Sequence, residues 1–198
     1  MDRWRFRANR DVFNALVSAY SEKVRYYHTI EHLEACLENL DRCAELADHL
    51  HEIELALWFH DAIYWPLSGE NELKSADWAG SFLSKNGASS DQVSRVHKLV
   101  MTTQHPSEPG SKDESILLDI DLAILGADSE TYEAFERGVR REYRLIPAFI
   151  FRRKRAELLR SFLERPQIYH TEPFRSQLEA RARENMSNAI SRLSGRRT

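Results

Sequence analysis

A histidine and an aspartate stand side by side at His60-Asp61, directly after an apolar segment at 54–59 that has the composition of a buried helix. Ionisable groups among apolar neighbours must be paired, protonated or bound to a metal. Two other segments contain the same residue types, with two histidines at 27–32 and two aspartates at 118–122. Together the three segments supply enough nitrogen and carboxylate ligands to hold one hard or borderline divalent cation.

The two histidines of the first segment, His28 and His32, are four residues apart. On a helix this spacing places them on one face, roughly 40° apart around the axis. We therefore expect both imidazoles to face the same pocket.

The two aspartates, Asp119 and Asp121, are two residues apart, so on a helix they point to opposed sides. If the segment is helical, the positions three and four residues from Asp121 are all aliphatic: Leu117, Leu118, Ile124 and Leu125. A carboxylate among them needs a cation. Asp119 borders Ser115 and Ala123, and we expect it to stay partly solvated. Asp121 is therefore the preferred ligand.

Two imidazoles and two carboxylates form a mixed nitrogen and oxygen donor set without a thiolate. Such a set favours an octahedral Mn²⁺, Fe²⁺, Co²⁺, Ni²⁺ or Mg²⁺ with two positions left for water and substrate. Zn²⁺ fits less well because it prefers four ligands. Open coordination positions on the metal indicate a catalytic ion rather than a structural one.

Apolar residues recur at helical spacing along nearly the whole chain. The pattern predicts helices at 29–47, 51–61, 71–83, 90–103, from 128 or 129 onward, 149–164 and 175–193. Only 116–125 could instead be a strand, and it has no evident partner strand. With no repeats or linkers, we predict one all-α domain, with basic helices at about 137–198 packed on it.

The 198 residues suffice for one sizeable domain, and no apolar run approaches the roughly 18 residues of a membrane span. The N-terminus lacks the features of a secretory signal. Two cysteines seven apart, Cys36 and Cys43, are too distant on one helix for an unstrained disulfide. These features predict a cytoplasmic protein.

Charge is unevenly distributed along the sequence. Residues 1–136 carry 12 basic and 25 acidic side chains, a net charge of −13, whereas residues 137–198 carry 16 and 6, a net charge of +10. The basic part could bind phosphate or nucleic acid, but we favour attraction between the two parts of one domain. Its basic residues are scattered over several helices and include no recognition-helix signature, which argues against nucleic acid as a partner.

The order of a histidine, an adjacent His-Asp pair and a distant aspartate resembles the HD-domain superfamily of metal-dependent phosphohydrolases. Within it, the chain is most similar to a group of small predicted HD hydrolases. The resemblance covers most of the chain and rests on four segments, residues 25–32, 58–64, 71–76 and 118–126, with a weaker fifth at 141–143.

The resemblance implies four metal ligands: His32, His60, Asp61 and Asp121. Tyr27-His28 is similar to the step in cyclic-nucleotide phosphodiesterases whose histidine protonates the leaving oxygen, so His28 is the implied acid. The expected reaction is hydrolysis of a phosphate ester, of a nucleotide or another small phosphorylated metabolite, by a metal-activated water. Asp61 or Glu72 would accept the water proton.

Further residues are candidates for substrate binding or a second ion. Tyr64 and Trp65 could stack on a base or sugar, and three arginines could bind phosphate: Arg140, Arg144 and Arg155. Two-metal members of the superfamily carry an extra histidine where this chain has Asn71-Glu72, so one ion is favoured over two. His105 is a candidate for another second-site histidine, and with Glu72 it could still recruit a second ion. The alternative function is a metal- or nucleotide-binding regulator of the same fold without turnover.

Overall fold

Helices form all the regular secondary structure of the residues that the computed structural model describes, 9–105 and 108–195. The all-α prediction is thereby confirmed. The helices are α1 (Arg10–Tyr20), α2 (Ile30–Arg42), α3 (Leu50–Phe59), α4 (Asn71–Lys85), α5 (Ser90–Thr102), α6 (Lys112–Asp121), α7 (Ser129–Glu142), α8 (Ala148–Leu163) and α9 (Glu172–Leu193). Short 3-10 turns follow α2 and α6, at Ala44–Leu46 and Leu122–Gly126. The strand alternative for 116–125 is therefore wrong.

Residue contacts divide the chain into two units, one ending at Ile120 and the other beginning at Asp121. The first unit holds α1 to α5 and all of α6 except its last residue. The second holds the 3-10 turn after α6 and helices α7 to α9. Assignment of both units to one domain, with the basic helices packed on the rest, stays a prediction.

Helix α3 lies in the core of the first unit, as its apolar composition predicts. Ile53, Ala56 and Leu57 have no exposed surface. Its N-terminus is held by Asp113 in the first turn of α6, whose carboxylate accepts hydrogen bonds from the backbone N–H groups of Asp48 and His49. A carboxylate there satisfies orphan donors and complements the helix dipole. The contact thus ties α3, which is followed directly by His60-Asp61, to α6, which ends at Asp121.

Helix α2 begins at Ile30, one residue after the start that the sequence pattern predicts, so the predicted start is confirmed to within a residue. Thr29 is its N-cap residue, and the backbone N–H of Thr29 donates to the carbonyl of Tyr27 at 2.7 Å. His28 therefore precedes the helix, and the prediction that His28 and His32 share a helical face is wrong. The helix ends at Arg42, with buried, unbridged Cys43 as its C-cap residue.

In the second unit, helix α9 packs against the 3-10 turn that follows Asp121. Asn185 donates hydrogen bonds to the carbonyls of Leu125 and Ala127, both at 2.9 Å. Gly126 permits the close approach, because a Cβ there would lie 2.9 Å from the backbone oxygen of Leu178. These contacts fix the chain directly after α6.

None of the described helices combines the length and the apolar composition needed to cross a bilayer.

Candidate metal centre

Three of the predicted ligands meet at one point of the first unit. The Nε2 atoms of His32 and His60 are 3.3 Å apart. One carboxylate oxygen of Asp61, Oδ2, lies 3.0 Å from Nε2 of His60 and 3.8 Å from Nε2 of His32. Both imidazoles are buried and Asp61 is half-buried, so one edge of the group is open to solvent.

The orientation of His60 follows from its place at the end of α3. Its Nδ1 lies 2.7 Å from the carbonyl oxygen of Leu57. A carbonyl can only accept, so Nδ1 carries the proton and the neutral imidazole presents a lone pair at Nε2. Metal-binding histidines are commonly held by such a hydrogen bond from their other nitrogen. The helix terminus therefore aims Nε2 of His60 at His32 and Asp61.

Asp121 joins this group together with a residue that the sequence analysis did not select. His32, Cys36, His60 and Asp121 each offer one donor atom, and these four atoms lie within 4.8 Å of one another. The expectation of a donor set without a thiol is therefore wrong for the donors that the structure brings together. Cys36 could have been found from its spacing, because it lies four residues after His32 on α2.

Asp119 is fully buried, contrary to the expectation that it stays partly solvated. Tertiary packing around α6 determines its burial, and the local neighbours Ser115 and Ala123 do not. Burial together with the charge of Asp119 raises the pKa of the Cys43 thiol to about 11. Asp119 is thus near Cys43, whereas Asp121 is the aspartate whose carboxylate lies near the two histidines.

His28 lies beside the group although it is outside α2. Its ring stacks on Tyr64, with centroids 4.2 Å apart and planes 29° apart, and meets His32 edge-on at 6.0 Å. Burial alone would raise the pKa of Asp61, but in their protonated forms the imidazoles of His60, His28 and His32 hold that pKa well below its usual range. His28 is therefore close enough to Asp61 to influence its charge.

Arg25 joins the two segments that carry His28 and Asp61. Its side chain has no exposed surface, and its guanidinium donates to the carbonyls of His28 at 3.2 Å, Asp61 at 2.6 Å and Ala62 at 3.1 Å. Glu22 balances its charge at 3.1 Å. The sequence gives no sign of this role for Arg25, because two of its three carbonyl acceptors belong to residues that are distant in the chain.

Tyr20, at the end of α1, contacts the backbone of the segment that carries Asp61. Its hydroxyl accepts from the backbone N–H of Asp61 at 3.3 Å and lies within hydrogen-bonding distance of the carbonyl of Trp58. Burial, and next the charge of Asp61, raise the pKa of Tyr20 well above its usual value. The hydroxyl therefore stays protonated beside the site.

The remaining candidates from the first unit occupy different surroundings. Tyr64 is buried against His28, whereas the neighbouring Trp65 is 64% exposed. Glu72 is half-buried in the first turn of α4, and His105 follows α5 with a left-handed backbone φ of 57°. The roles predicted for Glu72 and His105 stay predictions.

Two of the three candidate phosphate-binding arginines are engaged within the second unit. Arg140 donates to the carbonyls of Tyr143 and Ile146 after the end of α7. Arg155 forms a two-pronged ion pair with Glu136, the closest distance being 2.7 Å. Arg144 is exposed in the segment between α7 and α8. A phosphate contact by Arg140 or Arg155 would have to replace these bonds.

The donor chemistry of the group fits a divalent cation. The lone pair of His60 at Nε2 faces the carboxylate of Asp61 at 3.0 Å and the ring nitrogen of His32 at 3.3 Å. A nitrogen lone pair and a carboxylate this close repel unless a proton or a cation lies between them. A divalent cation would contact all three atoms together.

Comparison of the chain with known protein families, with curated proteins and with solved structures finds no match.

Proposed function

We propose that this chain is a divalent-metal-dependent phosphohydrolase that acts on a small phosphate ester, such as a nucleotide. The observation that carries the proposal is the convergence of His32, His60 and Asp61, with Asp121 in the same group. The partly solvated Asp61 gives this centre a face that substrate can reach. The resemblance of the same residues to the HD-domain pattern supports phosphate esters as the substrate class.

A divalent cation held by these residues would supply a Lewis acid that activates water at neutral pH and neutralises phosphate charge. His28 donates a proton to the leaving oxygen. Its ring, stacked on Tyr64 and near both His32 and Asp61, is held in one orientation for this transfer. Asp61 orients the attacking water and accepts its proton, with Glu72 as the alternative acceptor.

The exposed Trp65, which follows the Tyr64 that stacks on His28, offers the substrate an aromatic surface. Its backbone is held by Asn71, whose side-chain oxygen accepts from the Trp65 N–H at 3.1 Å and whose amide donates to the Trp65 carbonyl at 3.0 Å. An aromatic ring on a fixed backbone suits stacking with a nucleobase. This favours nucleotides over sugar phosphates.

The test is a screen of phosphate esters with protein reconstituted separately with Mn²⁺, Co²⁺, Mg²⁺ or Zn²⁺. We expect turnover of at least one ester that requires the added metal and is lost in the Asp61→Asn protein. The same turnover in metal-free protein, or in Asp61→Asn, would exclude the proposed mechanism.

We expect His28→Ala to lower turnover of that ester by about 100-fold or more, since a positioned general acid contributes 10²–10⁴-fold. Bound metal should stay near the wild-type stoichiometry, because His28 is not one of the proposed ligands. The paired measurements are kcat and metal content by elemental analysis. His97→Ala is the control, since His97 pairs with Asp77 on another face of the unit and should have no effect. A His28→Ala protein without metal would make His28 a ligand instead.

A second candidate is a metal-binding regulatory protein without turnover. The observation that favours it is the burial of His32, Cys36 and His60, because structural metal sites are closed by protein ligands. Stoichiometric metal binding that raises the melting temperature, with no ester hydrolysed, would favour this function.

A further inference from the structure

One surface of the second unit, formed by residues 141–154 at the end of α7 and the start of α8, combines large apolar side chains with basic ones. Leu145, between the two helices, is 82% exposed, and Phe149, in the first turn of α8, is 68% exposed. Residues 141–154 carry five exposed basic side chains, while their one acid, Glu142, is buried. The proposed function gives this surface, the basic-apolar patch, no task.

The turn before α8 is held so that Leu145 points to solvent. The guanidinium of Arg140 donates hydrogen bonds to the carbonyl of Tyr143 at 2.8 Å and to that of Ile146 at 3.1 Å, on either side of Leu145 in the chain. The same guanidinium lies over the buried ring of Phe151, 4.8 Å from its centroid. The backbone around Leu145 is thus fixed by contacts within the unit, and the exposure of Leu145 is a property of the folded turn.

Basic side chains flank both apolar residues of the patch. Arg144 directly precedes Leu145 in the chain. Arg152 and Arg153 follow Phe149 by three and four residues on α8, and this spacing places them on the same side of the helix as Phe149. All three arginine side chains are exposed. Positive charge and apolar surface therefore lie side by side.

An exposed acid, Glu157, follows the patch on α8. Its carboxylate lies 3.2 Å from Lys154 and 3.8 Å from Arg153. All three side chains are exposed, and ion pairs between exposed side chains contribute little to binding or stability. Glu157 therefore offsets at most one of the five positive charges, and the patch keeps a positive potential that attracts anions.

An anionic lipid bilayer matches both properties of the patch. Apolar side chains as exposed as Leu145 and Phe149 protrude from the surface, and a bilayer accepts protruding side chains at the boundary between headgroups and acyl chains. Neighbouring arginines lay their apolar stems along this boundary and place their charges on anionic headgroups. Nucleic acid fits less well, because an aliphatic side chain such as Leu145 has no ring to stack on a base.

We propose that the basic-apolar patch binds the surface of an anionic lipid bilayer, with Leu145 and Phe149 inserted among the lipids and the basic side chains on the headgroups. Peripheral binding of this kind requires no membrane-spanning helix. All the residues that carry it belong to the second unit, so the binding is independent of the metal centre.

The experiment is co-sedimentation of the full chain with vesicles of phosphatidylcholine, either alone or mixed with phosphatidylserine. We expect binding to the anionic vesicles only, and weaker binding at high salt because salt screens the headgroup charge. Leu145→Ser combined with Phe149→Ser should lower the affinity by more than about tenfold, since it removes both inserted side chains. Arg152→Gln combined with Arg153→Gln should lower it by about 20-fold, because each basic residue near an anionic surface contributes about fivefold.

Each double variant has a matched control. Leu158→Ser removes an exposed leucine from the opposite side of α8, nine residues after Phe149. Arg42→Gln combined with Lys85→Gln removes two exposed positive charges from the first unit. Both controls should bind anionic vesicles within about twofold of wild type, because charges far from the bilayer are screened. All the substituted side chains are exposed, so every variant should melt at the wild-type temperature.

Three results would overturn the proposal. The first is wild-type protein that does not sediment with anionic vesicles, or whose sedimentation survives the loss of Leu145 and Phe149. The second is binding to a single-stranded oligonucleotide, but not to vesicles, that the Arg152 and Arg153 substitutions weaken, which would make nucleic acid the partner. The third is a wild-type dimer in analytical ultracentrifugation that dissociates when Leu145 and Phe149 are replaced, which would make the patch a contact between two copies of the chain.

Discussion

The His60→Ala protein is expected to lose stoichiometric binding of a divalent cation and to hydrolyse phosphate esters at least about 1,000-fold more slowly than wild type. His60 is the donor on which the group depends, because its Nε2 lies 3.3 Å from His32 and 3.0 Å from Asp61. The substitution removes one metal ligand, and it also removes the Nε2 atom that contacts both His32 and Asp61. Metal content by elemental analysis and kcat/KM measure the two effects.

The control for this substitution is His51→Ala, on the same helix α3. His51 lies 3.8 Å from the exposed Glu54, so its loss should change neither metal content nor rate. His60→Gln keeps most of the side-chain volume and separates the loss of a ligand from a packing defect. Wild-type metal content in both His60 variants would remove His60 from the centre.

The Arg25→Met protein is expected to unfold with a free energy lower by about 3 kcal/mol or more. Three backbone carbonyls would lose their donor, and each buried group left unsatisfied costs about 1–3 kcal/mol. The rate of ester hydrolysis should also fall in this variant, because Arg25 holds the segments that carry His28 and Asp61. Urea denaturation and kcat at a temperature where the variant is folded measure both effects.

Arg25→Lys should recover little of this stability, because an ammonium group cannot reproduce the fork of a guanidinium. The matched control is Arg42→Met on α2, where the arginine side chain is 72% exposed and pairs with Glu38. That change should alter the free energy of unfolding by less than about 0.5 kcal/mol. A loss of under about 1 kcal/mol in Arg25→Met would mean that the buried guanidinium does not hold the site.

Periodicity of apolar residues was sufficient to predict the helical architecture, since a helix that buries one face shows that face in its sequence. It also placed the buried His60 at the end of α3. The position of His28 outside α2 was less accessible. Arg25 binds the carbonyl of His28 and also the carbonyls of Asp61 and Ala62, which are distant in sequence. Local spacing contains no information about such a partner.

The two aspartates of α6 also show that neighbours in the sequence do not suffice to predict burial. Neighbours three and four residues away led to the choice of Asp121, whose carboxylate does lie near the histidines. The same reasoning left Asp119 partly solvated, although packing buries it fully. Burial depends on helices that are distant in sequence, so the small side chains of Ser115 and Ala123 beside Asp119 are a weak guide.

Cys36 and the two arginines Arg140 and Arg155 show that residue type alone does not establish which side chains take part in a site. The spacing of His32 and Cys36 could have placed the thiol on the ligand face, but the resemblance directed attention to nitrogen and oxygen donors. Conversely, Arg140 and Arg155 have the chemistry of phosphate ligands, yet backbone carbonyls and Glu136 engage them. A side chain can be assigned a function only after its competing partners are known.

The most direct test of the metal centre is anomalous X-ray scattering from crystals of the protein grown with Co²⁺. The account predicts one strong peak within about 2.0–2.4 Å of the Nε2 atoms of His32 and His60, with the carboxylate of Asp121 also in contact. A protein crystallised with excess Co²⁺ that shows no peak there, and whose His60 Nε2 instead donates a proton to Asp61, would contradict it.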